Sequence, residues 1–129
     1  MLEFFMPMIP PTATHQEKGL GVRSGKPYTY ERANVKDARQ KLTAHLASHA
    51  PSEPYRGALR LVVKWLFPRG KHRDGEYKPT KPDTDNLDKL LKDCMTALRF
   101  WHDDAQVASE ICEKFYAEVT GVYIQLTEL

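Results

Sequence analysis

The sequence predicts an α+β fold: one small domain over residues 1–129, with a small mixed β-sheet packed against two main helices. Three observations predict it. Two segments repeat apolar residues at spacings of three and four, as amphipathic helices do. Four segments are apolar or β-branched and aromatic, and two of them alternate as half-buried strands do. A length of 129 residues suits a single domain that buries its core without disulfides.

Leu2 to Met8 reads as a first strand, ended by Pro10 and Pro11. Thr12 to Pro27 is polar and holds Gly19, Gly21 and Gly25, so a loop or an irregular hairpin is expected. From about Tyr30 to His49, Val35, Ala38, Leu42 and Leu46 form one apolar stripe of a helix, stopped by the PSEP run at Pro51 to Pro54. Gly57 to Phe67, GALRLVVKWLF, reads as a central strand. The long loop PRGKHRDGEYKPTKP follows. Thr84 to Arg99 is a second helix, with Leu87, Leu90, Leu91, Cys94 and Leu98 on its buried face and Asp83 or Thr84 as its cap. After a turn over Phe100 to Ala105, strands are expected at Gln106–Ala117 and Val119–Thr127, with Gly121 suited to a tight turn between them. There are no internal repeats.

Hydrophobic residues are 41% of the chain and charged residues 28%, an ordinary globular composition. The two cysteines, Cys94 and Cys112, form no CxxC pair, which suits a reduced intracellular protein. No basic segment precedes the short N-terminal apolar run, so no signal peptide is expected, and no stretch is long enough to span a membrane. The net charge of +2 hides a division. Through Pro82 there are 15 Lys and Arg against 7 Asp and Glu; from Asp83 onward there are 4 against 10. A basic part joined to an acidic part is expected of a protein that binds a polyanion with one and cations with the other.

The acidic part is concentrated in KPDTDNLDKLLKDCMTALRFWHDDAQV, Lys81 to Val107. Asp83 and Asp85 flank Thr84 at the start of the second helix, and Asp103 and Asp104 lie in the turn beyond it. Two carboxylates about 4 Å apart repel by roughly 4 kcal/mol at an effective dielectric near 20. A divalent cation offsets that repulsion. Mg²⁺ takes oxygen ligands, keeps several waters and uses few protein carboxylates; it polarises a phosphodiester and activates a bound water. Lys89 lies four residues after Asp85 on the same face, with Asp93 one turn further, and is placed to stabilise charge on a phosphate. A solvated Asp85–Lys89 ion pair is the plainer alternative. A DxD motif alone is weak, since aspartate is common at helix starts; DxDN, then K, then WxDDAQ is far more specific. The helix between the pairs is roughly 22 Å long at about 1.5 Å per residue. The pairs meet only if the chain after Arg99 folds back.

At PDTDNLDKLLKDCMTAL and FWHDDAQV the sequence resembles the RusA family of Holliday junction resolvases, common in phages and prophages. The close match covers about 25 residues; an N-terminal strand ending in PP, a basic loop and Lys114 fit more loosely. The resemblance implies a homodimeric endonuclease dependent on Mg²⁺, with Mn²⁺ as a substitute, that nicks four-way DNA junctions symmetrically in recombination and repair. It implies Asp83, Asp85 and Asp104 as metal ligands and catalytic residues, Lys89 as the catalytic lysine and Asp103 as a supporting ligand. It also implies the cytoplasm of a bacterium or of a phage-infected host. The early segment TATHQEKGLGVRSGKPY departs from the family pattern, which leaves its DNA contacts open.

Arg69, Lys71, Arg73, Lys78 and Lys81 line the loop that leads into the aspartates and are candidates to track phosphates. Lys18, Arg23 and Lys26 form a second basic group, and Lys114 completes the candidate nucleic-acid contacts. His45 and His49 are spaced like zinc ligands but lack a third, and exposed histidines are the expectation. Trp65 and Trp101 read as core. Two other functions compete with junction resolution: a non-catalytic junction-binding protein, and a metal-dependent nuclease acting on other branched DNA or on free nucleotides. Lys89 separates the first, since a pure binder needs no lysine among carboxylates. Substrate choice separates the second.

Overall fold

In the computed structural model the described residues are all except 14–17, 24 and 32, together with all side chains but those of 18–20, 22, 23 and 27–31. The elements are β1 (Leu2–Pro7), β2 (Lys18–Arg23), β3 (Lys26–Glu31), α1 (Ala33–Ala47), β4 (Leu59–Pro68), α2 (Thr84–Ala97), β5 (Val107–Ala117) and β6 (Gly121–Glu128). The main sheet runs β1-β6-β4-β5, and β2 and β3 pair separately. β5 is parallel to β4, whereas β6 is antiparallel to β4 and β1 antiparallel to β6. The domain is therefore α+β with a mixed sheet and two helices, as the periodicities predict.

Alternation in β4 positions the core. Leu59, Leu61, Val63, Trp65 and Phe67 are all buried, while the residues between them are half-buried or exposed. Val122, Ile124 and Leu126 of β6 continue the same apolar layer. Against it α1 packs Ala38, Leu42 and Leu46, the stripe read from the sequence. α2 adds Leu87, Leu90, Leu91, Cys94 and Met95. Full burial of each such large aliphatic side chain contributes about 1.5–3 kcal/mol.

Four local readings change. Of the loop or irregular hairpin expected early in the chain, Lys18–Arg23 and Lys26–Glu31 form a regular antiparallel pair of strands, and Tyr30 belongs to β3, so α1 begins three residues later, at Ala33. Tyr28, Thr29 and Tyr30 are residue types that favour strands, which explains the shift. α2 buries Asp88 and Met95 in addition to the expected inner face, while Leu98 is only half-buried. Gly121 is not in a turn; it opens β6 opposite Pro7 of β1. A Cβ there would lie 2.5 Å from the Met6 carbonyl oxygen and collide with the Phe5 ring. The turn at 118–120 joins strands that are not neighbours: it carries the chain across the end of β4 from one side to the other.

α2 ends in a Schellman turn. Phe100 N–H donates to the Met95 carbonyl and Arg99 N–H to the Thr96 carbonyl, each at 3.0 Å. Arg99 takes the left-handed position with φ 66°, where glycine is usual. Phe100 and Trp101 are then fully buried, and Trp101 Nε1 donates to Thr96 Oγ1 at 2.7 Å.

Candidate active site

β4 and β5 are parallel neighbours, so the chain between them must cross over, and α2 is that crossover. The helix accordingly runs back along the sheet. Its N-terminus carries the first acidic pair. Asp83 is the N-cap, with extended backbone at φ −75° and ψ 146°, and its carbonyl accepts from Leu87 N–H at 3.1 Å. Aspartate is favoured at this position because its carboxylate caps the first-turn N–H groups. Here the carboxylate makes no capping bond. Asp85 lies in the first turn, and its Oδ1 accepts only locally, from Asn86 N–H at 2.9 Å. Both aspartates are exposed.

The second pair lies beyond the helix in a one-turn 3₁₀ helix, Asp104–Gln106. Asp103 is its N-cap: the carboxylate accepts from Ala105 N–H at 2.9 Å, while Gln106 Oε1 accepts from Asp103 N–H at 3.0 Å and His102 N–H at 2.8 Å. This is a capping box. Gln106 Nε2 also donates to the carbonyls of Tyr55 and Gly57, which ties the turn to the segment before β4. The D-x-x-Q spacing carried that signal in the sequence. Asp103 is thus engaged in shaping the turn, while Asp104 meets Lys89.

Lys89 Nζ stands 3.2 Å from Asp93 Oδ1 and 3.6 Å from Asp104 Oδ2. It turns toward these two carboxylates rather than pairing with Asp85. Asp93 and then Asp104 raise the Lys89 pKa, so the ammonium is firmly charged at neutral pH. The structure therefore brings Lys89, Asp93 and Asp104 together. The turn after Arg99 leads into β5, which runs parallel to β4. Among the described residues no three carboxylate, imidazole or thiol groups are gathered closely enough to hold a metal ion. The exposed hard oxygens of Asp83 and Asp85 suit Mg²⁺ in chemistry, and that ion commonly binds one or two carboxylates together with substrate phosphate and water.

β5 holds this region in place through one side of the strand. Glu110 Oε1 pairs with Lys92 Nζ at 2.7 Å. Cys112 Sγ approaches the Thr84 carbonyl at 3.7 Å. Lys114 Nζ donates to the carbonyls of Thr80 at 2.5 Å and Pro82 at 2.7 Å. Tyr116 stacks on His72 with ring centroids 3.8 Å apart, and its hydroxyl lies 3.5 Å from Thr80 Oγ1. Alternate residues of one strand thus grip, in order, the middle of α2, its first turn, the loop before it and the basic loop.

Two side chains that sequence reading passed over also lie on this seam. Asp88 is buried on α2, with Oδ1 accepting from Trp65 Nε1 at 3.0 Å and Oδ2 without a partner. Burial raises its carboxyl pKa to about 7, with Glu110 adding to the rise and the nearby Cys112 thiol and Trp65 indole opposing it. The Cys112 thiol is pushed up as well, first by burial and then by Asp88, so it is an inert thiol. Asp88 gave no periodic signal because an aspartate inside an apolar stripe reads as a surface residue.

The expected nucleic-acid contacts separate into groups. Arg69 Nε pairs with Glu118 at 2.5 Å. Lys78 Nζ donates to Thr80 Oγ1 at 2.7 Å and lies over the Phe67 and Tyr116 rings. Lys114 is occupied by backbone carbonyls. Lys26, Lys71, Arg73 and Lys81 are exposed and make no ion pair among the described residues. The side chains of Lys18 and Arg23 lie outside the described residues. His45 and His49 are half-buried rather than exposed, and His49 stacks on Phe4 at 4.2 Å. Among the described residues no helix is long and apolar enough to cross a membrane.

Comparison with known proteins agrees with the motif. A family model described as Endodeoxyribonuclease RusA matches residues 8–127. The chain is 32% identical over 130 residues to a protein of Lactococcus phage r1t named Crossover junction endodeoxyribonuclease rusA, covering 98% of this chain and 96% of that one. It is 29% identical over 131 residues to the uncharacterized protein YqaN of Bacillus subtilis (strain 168), covering 92% and 91%. With a family match across nearly its whole length and the DxDN, lysine and DDAQ elements standing on one helix and its flanking turns, the chain belongs to the RusA endodeoxyribonuclease family.

Proposed function

We propose that this chain is a Mg²⁺-dependent, structure-specific DNA endonuclease that resolves four-way junctions by paired nicks, in DNA recombination and repair in the cytoplasm of a bacterium or phage-infected host. One observation carries the reading: Asp83 holds the N-cap position without capping, so its carboxylate is left available beside Asp85 at the exposed mouth of α2. Aspartate at that position ordinarily contributes about 0.5–2 kcal/mol by capping. Leaving that unused is expected where the carboxylate serves a ligand.

A divalent cation bound there supplies polarisation of the scissile phosphodiester and a more acidic bound water. The chain's own residues do the rest. Lys89 presents a fixed positive charge one helical turn from Asp85, where it opposes charge gathering on a phosphate. Asp93 and Asp104 hold that ammonium in place. Lys71, Arg73 and Lys81 bind and orient the backbone leading to the site. Nicking two strands requires two such sites, so the working unit is a homodimer. Asp104, with Asp103 beside it, completes the proposed ligand set with Asp83 and Asp85.

The test is cleavage of a synthetic four-way junction by the wild type and by Asp83→Asn, Asp85→Asn, Asp104→Asn and Lys89→Met, with Mg²⁺, with Mn²⁺ and with EDTA. Each variant should lose cleavage while still shifting the junction in a gel, and EDTA should stop the wild type. Cleavage by the aspartate variants at the wild-type rate refutes the site. Binding without cleavage by the wild type in either metal shows a junction-binding protein instead. Equal cleavage of flaps or of free nucleotides shows a different substrate.

A further inference from the structure

We propose that Lys114 is a positioning residue: by bridging two backbone carbonyls of the loop that enters α2, its ammonium sets where Asp83 and Asp85 stand. This rests on the reading of those aspartates as the ligand-binding pair.

The loop before α2 runs Pro79, Thr80, Lys81, Pro82. Two of these four residues have no N–H, so the loop has few backbone donors of its own with which to build a turn. Its carbonyls still need partners. Lys114 Nζ supplies them, reaching the Thr80 oxygen at 2.5 Å and the Pro82 oxygen at 2.7 Å. The second of these carbonyls belongs to the peptide unit that joins directly to Asp83. The helix start has no side-chain cap to fix it from the other side, since the Asp83 carboxylate makes no capping bond. The anchor is rigid: Lys114 lies opposite Trp65 in the parallel pairing of β5 with the central strand, and Trp65 is fully buried. A compact ammonium with three rotatable N–H groups can serve two carbonyls set two residues apart; a flat guanidinium of fixed fork geometry cannot replace it directly. With two donors committed to the backbone and its side chain half-buried, Lys114 is poorly placed to contact a phosphate.

The experiment compares Lys114→Met and Lys114→Arg with the wild type and with Asp83→Asn. Lys114→Met should lower kcat for junction cleavage by about 10²-fold, the scale of a 1 Å misplacement. Its junction affinity without divalent cation, and the salt dependence of that affinity, should not change. Mn²⁺ binding followed by electron paramagnetic resonance should weaken by about tenfold, as loss of a supporting contact does. In the cation-free protein, amide hydrogen exchange of the peptide covering 79–87 should quicken while β4 and β6 keep their protection. Lys114→Arg should fail to restore kcat. Wild-type kcat in Lys114→Met, unaltered exchange over 79–87, or rescue by arginine each overturns the proposal. A salt slope reduced by about one with kcat intact also overturns it, because that marks a phosphate contact. Normal cleavage by Asp83→Asn would refute the site reading alone, since the exchange measurement reads the clamp without catalysis. The wild-type protein gives an independent check should Lys114→Met fail to fold. Its Lys114 ¹⁵N ammonium signal should exchange slowly and stay in place on adding junction DNA; a signal that shifts with DNA overturns the proposal.

Discussion

Replacing Asp88 with Asn should make the protein more stable, and by an amount that depends on pH. Asp88 is 1% exposed, and burial lifts its pKa from 3.8 to about 7 in the fold. The folded chain therefore keeps a proton that the unfolded chain has already released between those values. Where the folded state binds more protons, stability falls as pH rises, so the loss develops from near pH 4 and is complete above about pH 7. At 1.36 kcal/mol per unit, a rise of roughly three units amounts to about 4 kcal/mol. Asparagine is neutral throughout and keeps an oxygen for the Trp65 indole N–H. Urea unfolding of the two proteins across this range should show little difference near pH 4 and a gap opening toward about 4 kcal/mol near pH 8, with the variant the more stable. A gap that stays constant from pH 5 to pH 8 would refute the reasoning.

Arg99→Gly should stabilise the chain by about 0.5–1 kcal/mol in thermal melts, because relief of the left-handed arginine outweighs glycine's extra unfolded freedom. Gly121→Ala should destabilise it by about 1–3 kcal/mol, since the methyl group meets the Phe5 ring and the Met6 carbonyl where β1 and β6 pair. Lys81→Ala should lower the salt slope of junction binding by about one, whereas Arg69→Ala, which removes a residue already paired with Glu118, should leave it unchanged in gel shifts over a salt series.

The elements that sequence made legible are those whose burial is periodic. α1 shows its inner face in Val35, Ala38, Leu42 and Leu46, and β4 alternates along its whole length. The residues 18–31 were harder, because glycines and polar side chains hide a strand pair that stands apart from the main sheet. Gly121 misled because glycine marks both turns and close approaches, and only the position of β1 tells them apart. At the site, the aspartates and Lys89 were readable as a motif, and the 3₁₀ capping box was written in Asp103 and Gln106. The direction in which Lys89 points was not readable, since Asp85 and Asp93 are equally spaced from it along the helix. Nor was the path of β5, which depends on a parallel pairing about fifty residues apart in the chain.

That path has a consequence for how such a chain can diverge. Glu110, Cys112, Lys114 and Tyr116 grip their partners only because they share one side of β5. Side chains alternate with a period of two, so one residue inserted after Gln106 would turn those four outward and bring Ser109, Ile111, Glu113 and Phe115 into their places. Substitutions at any one rung can be absorbed; a change in count cannot, unless a bulge takes up the extra residue before Glu110. The interval between the aspartate turn and Lys114 is therefore a length to be conserved even where the letters drift, and indels in relatives should collect at 69–75 and 118–120 rather than within the strand.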